Sequence, residues 1–195
     1  MITGFEPFGG DSLNPSQEIA RALHGAMIAG HRVTGALLPC VFGAALEELR
    51  LQLATVKPVL TICLGLAGGR KAITPERVAI NVDDARIPDN AGAQPVDRPI
   101  VRGGPAAYWS TLPVKAIVAA LQERGLPAEV SQSAGTFVCN HVFYGLMHEI
   151  ARHRPALRGG FVHVPCLPVG GAPGLRLEQM IEAVRAAIAV AVSGA

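Results

Sequence analysis

Cys139 is the residue of this sequence best placed to act as a nucleophile. Residues 128–133 before it alternate apolar and polar side chains, which predicts a half-buried strand, and apolar residues recur at helical spacing from Val142 to Ile150. Gly135 between the two can adopt the backbone angles of a tight turn. Cys139 would then lie in the first turn of the helix, where unpaired N–H groups and the helix dipole favour an anion. We therefore expect a lowered thiol pKa and a thiolate nucleophile.

A cysteine nucleophile needs a base within hydrogen-bond reach, and His163 is the preferred candidate among six histidines. His163 comes late in the predicted strand 160–165, where Phe161 and His163 share one face. The carboxyl ends of the strands are where open parallel sheets place ligand chemistry. From the residues alone, a buried histidine satisfied by core partners remains the alternative.

The other five histidines fit this role less well. Two flank a surface turn, two lie on the nucleophile's helix but point away from its first turn, and one is two residues from the nucleophile and cannot face it. In that order they are His24 and His31, His148 and His153, and His141.

A third group, usually a carboxylate, orients such a base. Glu76 opens the strand-like segment 76–82, and Asp83 and Asp84 follow its far end. Spacing does not choose among these three, since charged residues at strand ends are commonly solvated.

Two other patterns carry less weight. His148 and His153 resemble a zinc-protease helix motif but are one residue too far apart to share a face, so no metal site is expected. The glycines in 4–10 and 65–69 match neither phosphate-loop spacing and suit tight turns near a small ligand.

The elements that must position these residues alternate between strand and helix. Such alternation predicts an α/β layered fold with a largely parallel sheet. Asn14 is the expected N-cap of the first helix. The predicted strands are 1–5, 33–39, 59–64, 76–82, 128–133 and 160–165, and the predicted helices are 15–25, 44–56, 113–125, the one that begins near Cys139, and 177–192.

The segment 83–107 does not fit this alternation. It runs for about 25 residues without periodicity, and loops longer than about 12–15 residues are usually functional or disordered. We expect an ordered loop near the site, anchored by Ile87, Val96, Ile100 and Val101. A mobile surface insertion is the alternative.

Length and composition limit the number of domains, the partners and the location that can be expected. At 195 residues, one domain spanning 1–195 is the simplest expectation. A net charge of +2 gives no electrostatic reason to expect nucleic acid or an anionic membrane as a partner. No signal peptide or membrane-spanning stretch is evident, and the four cysteines lack paired metal-type spacing, so free thiols and a cytoplasmic location are expected.

Seven stretches spread over nearly the whole chain carry a resemblance to a known family. They are residues 3–10, 14–16, 68–70, 75–81, 84–90, 135–140 and 160–165. In this order they resemble the pyroglutamyl peptidase I family, also called pyrrolidone-carboxylate peptidases.

This resemblance implies a cofactor-free cysteine peptidase that removes N-terminal pyroglutamate from peptides through an acyl-enzyme. It implies Cys139 as nucleophile, His163 as base and Glu76 as the orienting residue, a choice made by analogy and not by spacing. It further implies a single three-layer α/β/α domain with a largely parallel, mixed sheet, a cytoplasmic location and a homotetramer.

The substrate pocket implied by the resemblance should be apolar, because the pyroglutamyl lactam is neutral. Phe5 and Phe8 would sandwich the ring, although both can equally be core residues. Arg86 would join the backbone N–H of Cys139 as an oxyanion donor, with a surface ion pair as its alternative. The substrate-binding set is Phe5, Phe8, Asn14, Leu66, Phe137 and Val138.

The chain departs from the family pattern at three places. A few residues that usually precede the first strand are missing, Leu66 stands where many members have glutamine, and 168–175 is short. Two rival functions stay open, a nucleoside phosphorylase on a similar frame and a non-catalytic binder of modified peptide N-termini.

Overall fold

The computed structural model describes residues 1–168 and 174–193, so most of the short segment 168–175 lies outside the described residues. The described chain forms five helices and nine strands. The helices are α1 (Pro15–Leu23), α2 (Ala44–Val56), α3 (Val114–Gln122), α4 (Val138–His153) and α5 (Leu177–Ser193). The strands are β1 (Ile2–Phe5), β2 (Met27–Ile28), β3 (His31–Arg32), β4 (Gly35–Leu38), β5 (Leu60–Leu66), β6 (Thr74–Pro75), β7 (Val78–Ile80), β8 (Ala107–Trp109) and β9 (Arg158–Val164).

The central sheet has the order β4-β1-β5-β9-β6. The first four strands are parallel to one another, and β6 pairs antiparallel with β9, so the sheet is mixed and largely parallel as predicted. Helices α1, α3 and α5 cover one face with one apolar cluster, and α2 and α4 cover the other with a second. Along β9, Phe161 belongs to the α2–α4 face while Val162 and Val164 belong to the opposite face, which is the alternation expected of a strand buried on both sides. The architecture is three-layer α/β/α.

The predicted helices agree closely with the structure. Helix α2 has the predicted bounds, and the side chain of Asn14 caps α1 by accepting a hydrogen bond from the backbone N–H of Ser16 (3.1 Å). Periodic apolar faces fix such helices from local sequence, because each face must be buried against the sheet.

The strand predicted over 128–133 is wrong. Only two isolated bridges form there, Ile73 with Ala128 and Glu76 with Ser131. The backbone of Ser131 bonds that of Pro75 and Arg77, and the N–H of Glu129 bonds the carbonyl of Ile73, but Pro75 between them has no N–H to donate, which interrupts the ladder.

The strand predicted over 76–82 is shorter in the structure, where β7 covers only Val78–Ile80. β6, just before it, joins the central sheet, whereas β7 pairs antiparallel with β8 in a separate two-stranded sheet. Sequence analysis missed β8 and the β2–β3 hairpin because strands of two or three residues show no measurable alternation.

The segment 83–107 contains no helix and no regular strand before β8, and polar bonds hold it more than the predicted apolar anchors do. Ile87 and Val96 are exposed, which corrects that part of the prediction, whereas Ile100 and Val101 pack against the α2–α4 cluster. The buried carboxylate of Asp89 instead accepts hydrogen bonds from the backbone N–H groups of residues 42, 91 and 93. The loop is ordered, as expected.

All four cysteines are free thiols, as predicted. None of the described helices is both long and apolar enough to cross a membrane.

Candidate active site

Cys139 is the second residue of α4, in the first turn as predicted. Gly135 has a positive φ of 76°, which allows the tight turn before the helix. The hydroxyl of Thr136 donates to the carbonyl of Asp84 (2.7 Å), which ties this turn to the long loop. No side-chain hydrogen bond caps the helix at Phe137, so the N-cap side chain satisfies none of the first N–H groups of α4.

Gly65 lies next to both His163 and Cys139. Gly65 on β5 is the register partner of His163 on β9, and a Cβ atom added at Gly65 would lie 2.8 Å from the sulfur of Cys139. The side chains of Cys139 and His163 also line one cavity. The structure therefore brings the predicted nucleophile and base together at the carboxyl ends of the central strands.

Glu76 is the carboxylate beside His163. Its Oε1 accepts a hydrogen bond from Nδ1 of His163 at 2.7 Å, and both side chains are almost completely buried. Because Nδ1 carries this proton, Nε2 remains free as an acceptor. Of the competing carboxylates, Asp83 bonds His141 instead, and Asp84 lines the cavity without a side-chain hydrogen bond to the described residues.

Burial sets the ionisation of this site. Burial lowers the pKa of His163 below its ordinary value, although the adjacent Glu76 carboxylate opposes this shift. Burial alone would raise the pKa of Glu76, but the hydrogen bond and charge of His163 reverse the effect and lower it. Burial raises the pKa of the Cys139 thiol, and the charge of Glu76 acts in the same direction. The predicted lowering of the thiol pKa is thus wrong for the resting site, because burial raises it.

His141, two residues after the nucleophile, has both ring nitrogens engaged elsewhere. The backbone N–H of Gly43 donates to Nε2 (3.1 Å), so Nδ1 carries the proton that His141 donates to Asp83 (2.9 Å). His148 accepts or donates one bond with the hydroxyl of Tyr108 (2.9 Å), away from the cavity containing Cys139. Neither histidine is placed to act on Cys139.

Arg70 is the site residue to which sequence analysis assigned no role. Its Nη1 donates to Oε1 of Glu76 (2.7 Å) and to the hydroxyl of Thr74 (2.5 Å), and its Nη2 donates to the carbonyl of Ser133 (2.9 Å). Its only signal in the sequence was its place at the end of the motif 68–70. No periodicity or spacing relates that motif to Glu76.

The cavity has a volume of about 520 Å³ and collects most of the predicted site. Its wall includes Phe8, Leu66, Arg86, Phe137, Cys139 and His163. Arg86 is exposed and makes no hydrogen bond or ion pair with the described residues, so the surface ion pair considered for it is not formed.

Three predicted substrate-binding residues lie in the interior instead of the cavity wall. Phe5 is buried with its ring 6.4 Å from that of Phe161. Asn14 is buried at the start of α1, where its amide also donates to the carbonyl of Glu6 (3.1 Å). Val138 is fully buried in the α2–α4 cluster. In this structure their side chains serve packing and capping, and their assignment to substrate contact stays a prediction.

Cys166 is half-buried and lines the cavity with Cys139, whereas Cys40 and Cys63 are buried. Within residues 1–168 and 174–193, no three His, Cys, Asp or Glu side chains come together as metal ligands.

Comparison with known proteins gives one consistent result. The pyroglutamyl peptidase family model matches residues 1–194. The pyrrolidone-carboxylate peptidase of Chromobacterium violaceum is 60% identical over 193 residues, covering 96% of this chain and 90% of that protein. That of Klebsiella pneumoniae is 57% identical over 196 residues, covering 98% of this chain and 91% of that protein.

Solved structures show the same relationship. A crystal structure of pyroglutamyl peptidase I from Bacillus amyloliquefaciens aligns with a TM-score of 0.96 at 49% identity, covering 98% of this chain and 95% of that one. A mutant pyrrolidone carboxyl peptidase from Pyrococcus furiosus aligns with a TM-score of 0.96 at 46% identity, covering 99% and 97%. Since the family model and these relatives match nearly its whole length, the chain belongs to the pyroglutamyl peptidase family.

Proposed function

We propose that this chain removes N-terminal pyroglutamate from peptides, with Cys139 as nucleophile, His163 as base and Glu76 as the residue that orients His163. The chain is a cysteine-type peptidase by its family. The observation that carries the residue assignments is the buried His163–Glu76 hydrogen bond of 2.7 Å beside Cys139. In space, the nucleophile lies beside the base, and the base is hydrogen-bonded to the carboxylate that orients it.

The raised pKa of Cys139 and the lowered pKa of His163 imply a neutral thiol and a neutral imidazole in the resting enzyme. Nε2 of His163 takes the thiol proton as the sulfur of Cys139 attacks the carbonyl carbon of the scissile peptide bond, which joins the pyroglutamyl residue to the next residue. The resulting imidazolium is stabilised by Glu76, and it returns the proton to the leaving amine as the C–N bond breaks. Water, deprotonated by His163, then hydrolyses the thioester and releases pyroglutamate.

The tetrahedral oxyanion needs donors, and two are available. The backbone N–H of Cys139 lies in the first turn of α4, where no intrahelical partner exists for it. Arg86 in the cavity wall adds a cation that is not committed to any described carboxylate. We assign the oxyanion to these two groups.

The lactam ring is assigned to the apolar part of the cavity wall formed by Phe8, Leu66 and Phe137. The rings of Phe8 and Phe137 have centroids 6.0 Å apart, and Phe42 packs edge-on against Phe137 behind them. A neutral lactam suits such a wall because it brings no charge that would need a partner. Leu66 offers no side-chain hydrogen bond, so any such bond to the lactam comes from other groups.

The direct test is hydrolysis of pyroglutamyl p-nitroanilide by the full chain, before and after treatment with iodoacetamide. We expect turnover that alkylation abolishes. Because Cys166 shares the cavity, the treatment is repeated on Cys166→Ala. This variant should be active before alkylation and should lose its activity when it is alkylated. A chain that releases no nitroaniline under any condition would contradict the proposal.

The two rival functions have no support from the comparisons. The named relatives are peptidases, and the glycine segments match neither phosphate-loop spacing. A cavity lined by a thiol and an imidazole, with a buried carboxylate bonded to that imidazole, is also more than a binding module requires.

We also propose that residues 1–195 form one catalytic domain, that the protein is cytoplasmic, and that it assembles as a homotetramer. Four free thiols are consistent with a reducing compartment. Exposed Trp109, Met27 and Leu51 are apolar surface available for subunit contacts. Light scattering coupled to size-exclusion chromatography tests the assembly, and a monomeric mass would contradict it.

A further inference from the structure

Arg70 lies behind the His163–Glu76 pair at a point where three segments meet. Its guanidinium bonds Glu76 and Thr74 in the segment that pairs with β9, and Ser133 in the segment that leads into α4. Arg70 itself follows β5. One side chain thus links the segment that carries the proposed carboxylate, which itself pairs with the strand of the base, to the segment that leads to the nucleophile.

The pair formed by Arg70 and Glu76 is buried on one side only. The Glu76 side chain is 0% exposed, and the Arg70 side chain is 28% exposed where it reaches the cavity wall. Arg70 and His163 both donate to Oε1 of Glu76, and Oε2 has no hydrogen-bond partner among the described residues. A buried carboxylate held by one donor alone would be free to rotate, and its negative charge would be less well compensated.

We propose that Arg70 is a positioning residue for the reaction, which fixes the carboxylate of Glu76 toward His163 and holds the turn that presents Cys139. This inference rests on the proposed function, since it assigns a task within that site. The fork of the guanidinium is what allows it, because two nitrogens reach Glu76 and Ser133 at once.

The charge of Arg70 also acts on the titration of His163. The charged or titratable groups around His163 are Glu76, Cys139 and Arg70, and Asp11, Asp84 and Arg86 lie farther along the same cavity wall. The positive charge of Arg70 disfavours protonation of His163. It also competes with His163 for Oε1. Removing Arg70 therefore favours the imidazolium in two ways, so the acid limb of the activity profile should move to higher pH.

The test compares Arg70→Gln, Arg70→Lys and Lys71→Gln with the unmodified full chain. Lys71 is the matched control, since it is exposed and makes no hydrogen bond or ion pair within the described residues, yet its change also removes one positive charge. Two measurements are made across pH: kcat/KM for pyroglutamyl p-nitroanilide, and the rate at which iodoacetamide alkylates Cys139 in a Cys166→Ala background. Thermal melting checks the fold of each variant.

For Arg70→Gln we expect kcat/KM to fall about 10²-fold, the loss that a misplacement of about 1 Å can cause. We also expect the acid limb of both pH profiles to move to higher pH, by about half a pH unit or more. Arg70→Lys keeps the charge but loses the fork, so its kcat/KM should fall while its acid limb stays near that of the unmodified chain. Lys71→Gln should change neither.

The proposal is overturned if Arg70→Gln keeps the original acid limb, or if Lys71→Gln reproduces its shift. If Arg70→Gln does not fold, an Arg70→Lys variant with unchanged kcat/KM overturns it equally. The alkylation profile keeps the two proposals apart, because it reports the pairing of Cys139 with His163 even if the chain hydrolyses no pyroglutamyl amide, a result that would refute the function alone.

Discussion

A methyl group on Gly65 would lie 2.8 Å from the sulfur of Cys139. The ring of Phe161 is equally close, so the thiol, the ring and the strand are packed with no room for a side chain at this position. The absence of a Cβ at Gly65 is what allows Cys139 to reach the level of His163, the register partner of Gly65 on β9.

Gly65→Ala should therefore displace the nucleophile. We expect kcat/KM to fall about 10²-fold, with a loss of about 1–3 kcal/mol in the free energy of unfolding from overpacking. Gly159→Ala is the control, since an added Cβ there meets the carbonyl of Thr61 at 2.9 Å but is not adjacent to Cys139. It should destabilise the fold without the loss of kcat/KM. A Gly65→Ala enzyme with the original rate would show that the sulfur has room to move.

Cys139→Ala should abolish turnover, with kcat/KM lowered by about 10⁴-fold or more. Cys63→Ala should retain activity, because Cys63 is fully buried and does not line the cavity that contains Cys139 and His163. Steady-state kinetics of the two variants provide the comparison. Substantial activity in Cys139→Ala would remove the proposed nucleophile.

His163→Ala and Glu76→Gln should differ in severity. His163→Ala removes the proton acceptor, whereas Glu76→Gln only weakens its orientation, so the second loss in kcat/KM should be smaller, by a factor of about 10 to 100. His153→Asn, an exposed histidine on α4, serves as the control and should have no effect. Near-normal rates in His163→Ala would mean that another group is the base. His141 is no substitute, since both its ring nitrogens are already bonded.

The stability of the fold should decrease as pH falls below about 6.5. The pKa of His163 is lowered from its ordinary value of 6.5, so the unfolded chain binds this proton at pH values where the folded protein does not. Stability rises with pH wherever the unfolded state binds more protons. The lowered pKa of Glu76 acts in the same direction below its ordinary value of 4.5.

Melting temperatures from pH 7.5 to pH 4 measure this effect. His163→Asn should flatten the upper part of the curve, just below the ordinary histidine pKa, and His153→Asn should leave it unchanged. Identical slopes for all three proteins would contradict the assignment of the effect to His163.

The cavity should discriminate strongly against prolyl and glutamyl amides. A prolyl peptide lacks the lactam carbonyl and carries a basic amine, and a glutamyl peptide brings a carboxylate and an ammonium group toward the wall formed by Phe8, Leu66 and Phe137. A site whose polar groups pair with the substrate rejects an analogue that lacks those groups by about 10⁴-fold. Specificity constants for the three p-nitroanilides measure the ratio. A prolyl amide cleaved within about tenfold of the pyroglutamyl one would show that the site recognises ring shape alone.

The sequence by itself determined those features that depend on local chain. The turn at Gly135, the start of α4 with Cys139 in its first turn, and the bounds of α2 follow from backbone freedom and apolar spacing within a few residues. The alternation of helices and strands was sufficient to predict the layered fold. The motifs were sufficient to recognise the family.

The tertiary structure alone decided which groups meet. The hydrogen bond from His163 to Glu76 spans 87 residues, and the one from His141 to Asp83 spans 58, so no local pattern distinguishes the two carboxylates. The raised pKa of the Cys139 thiol depends on how deeply the site is buried, and the role of Arg70 depends on three segments that converge only in the folded chain. Periodicity records which face of an element is apolar, whereas desolvation and long-range contacts arise only when distant elements pack together.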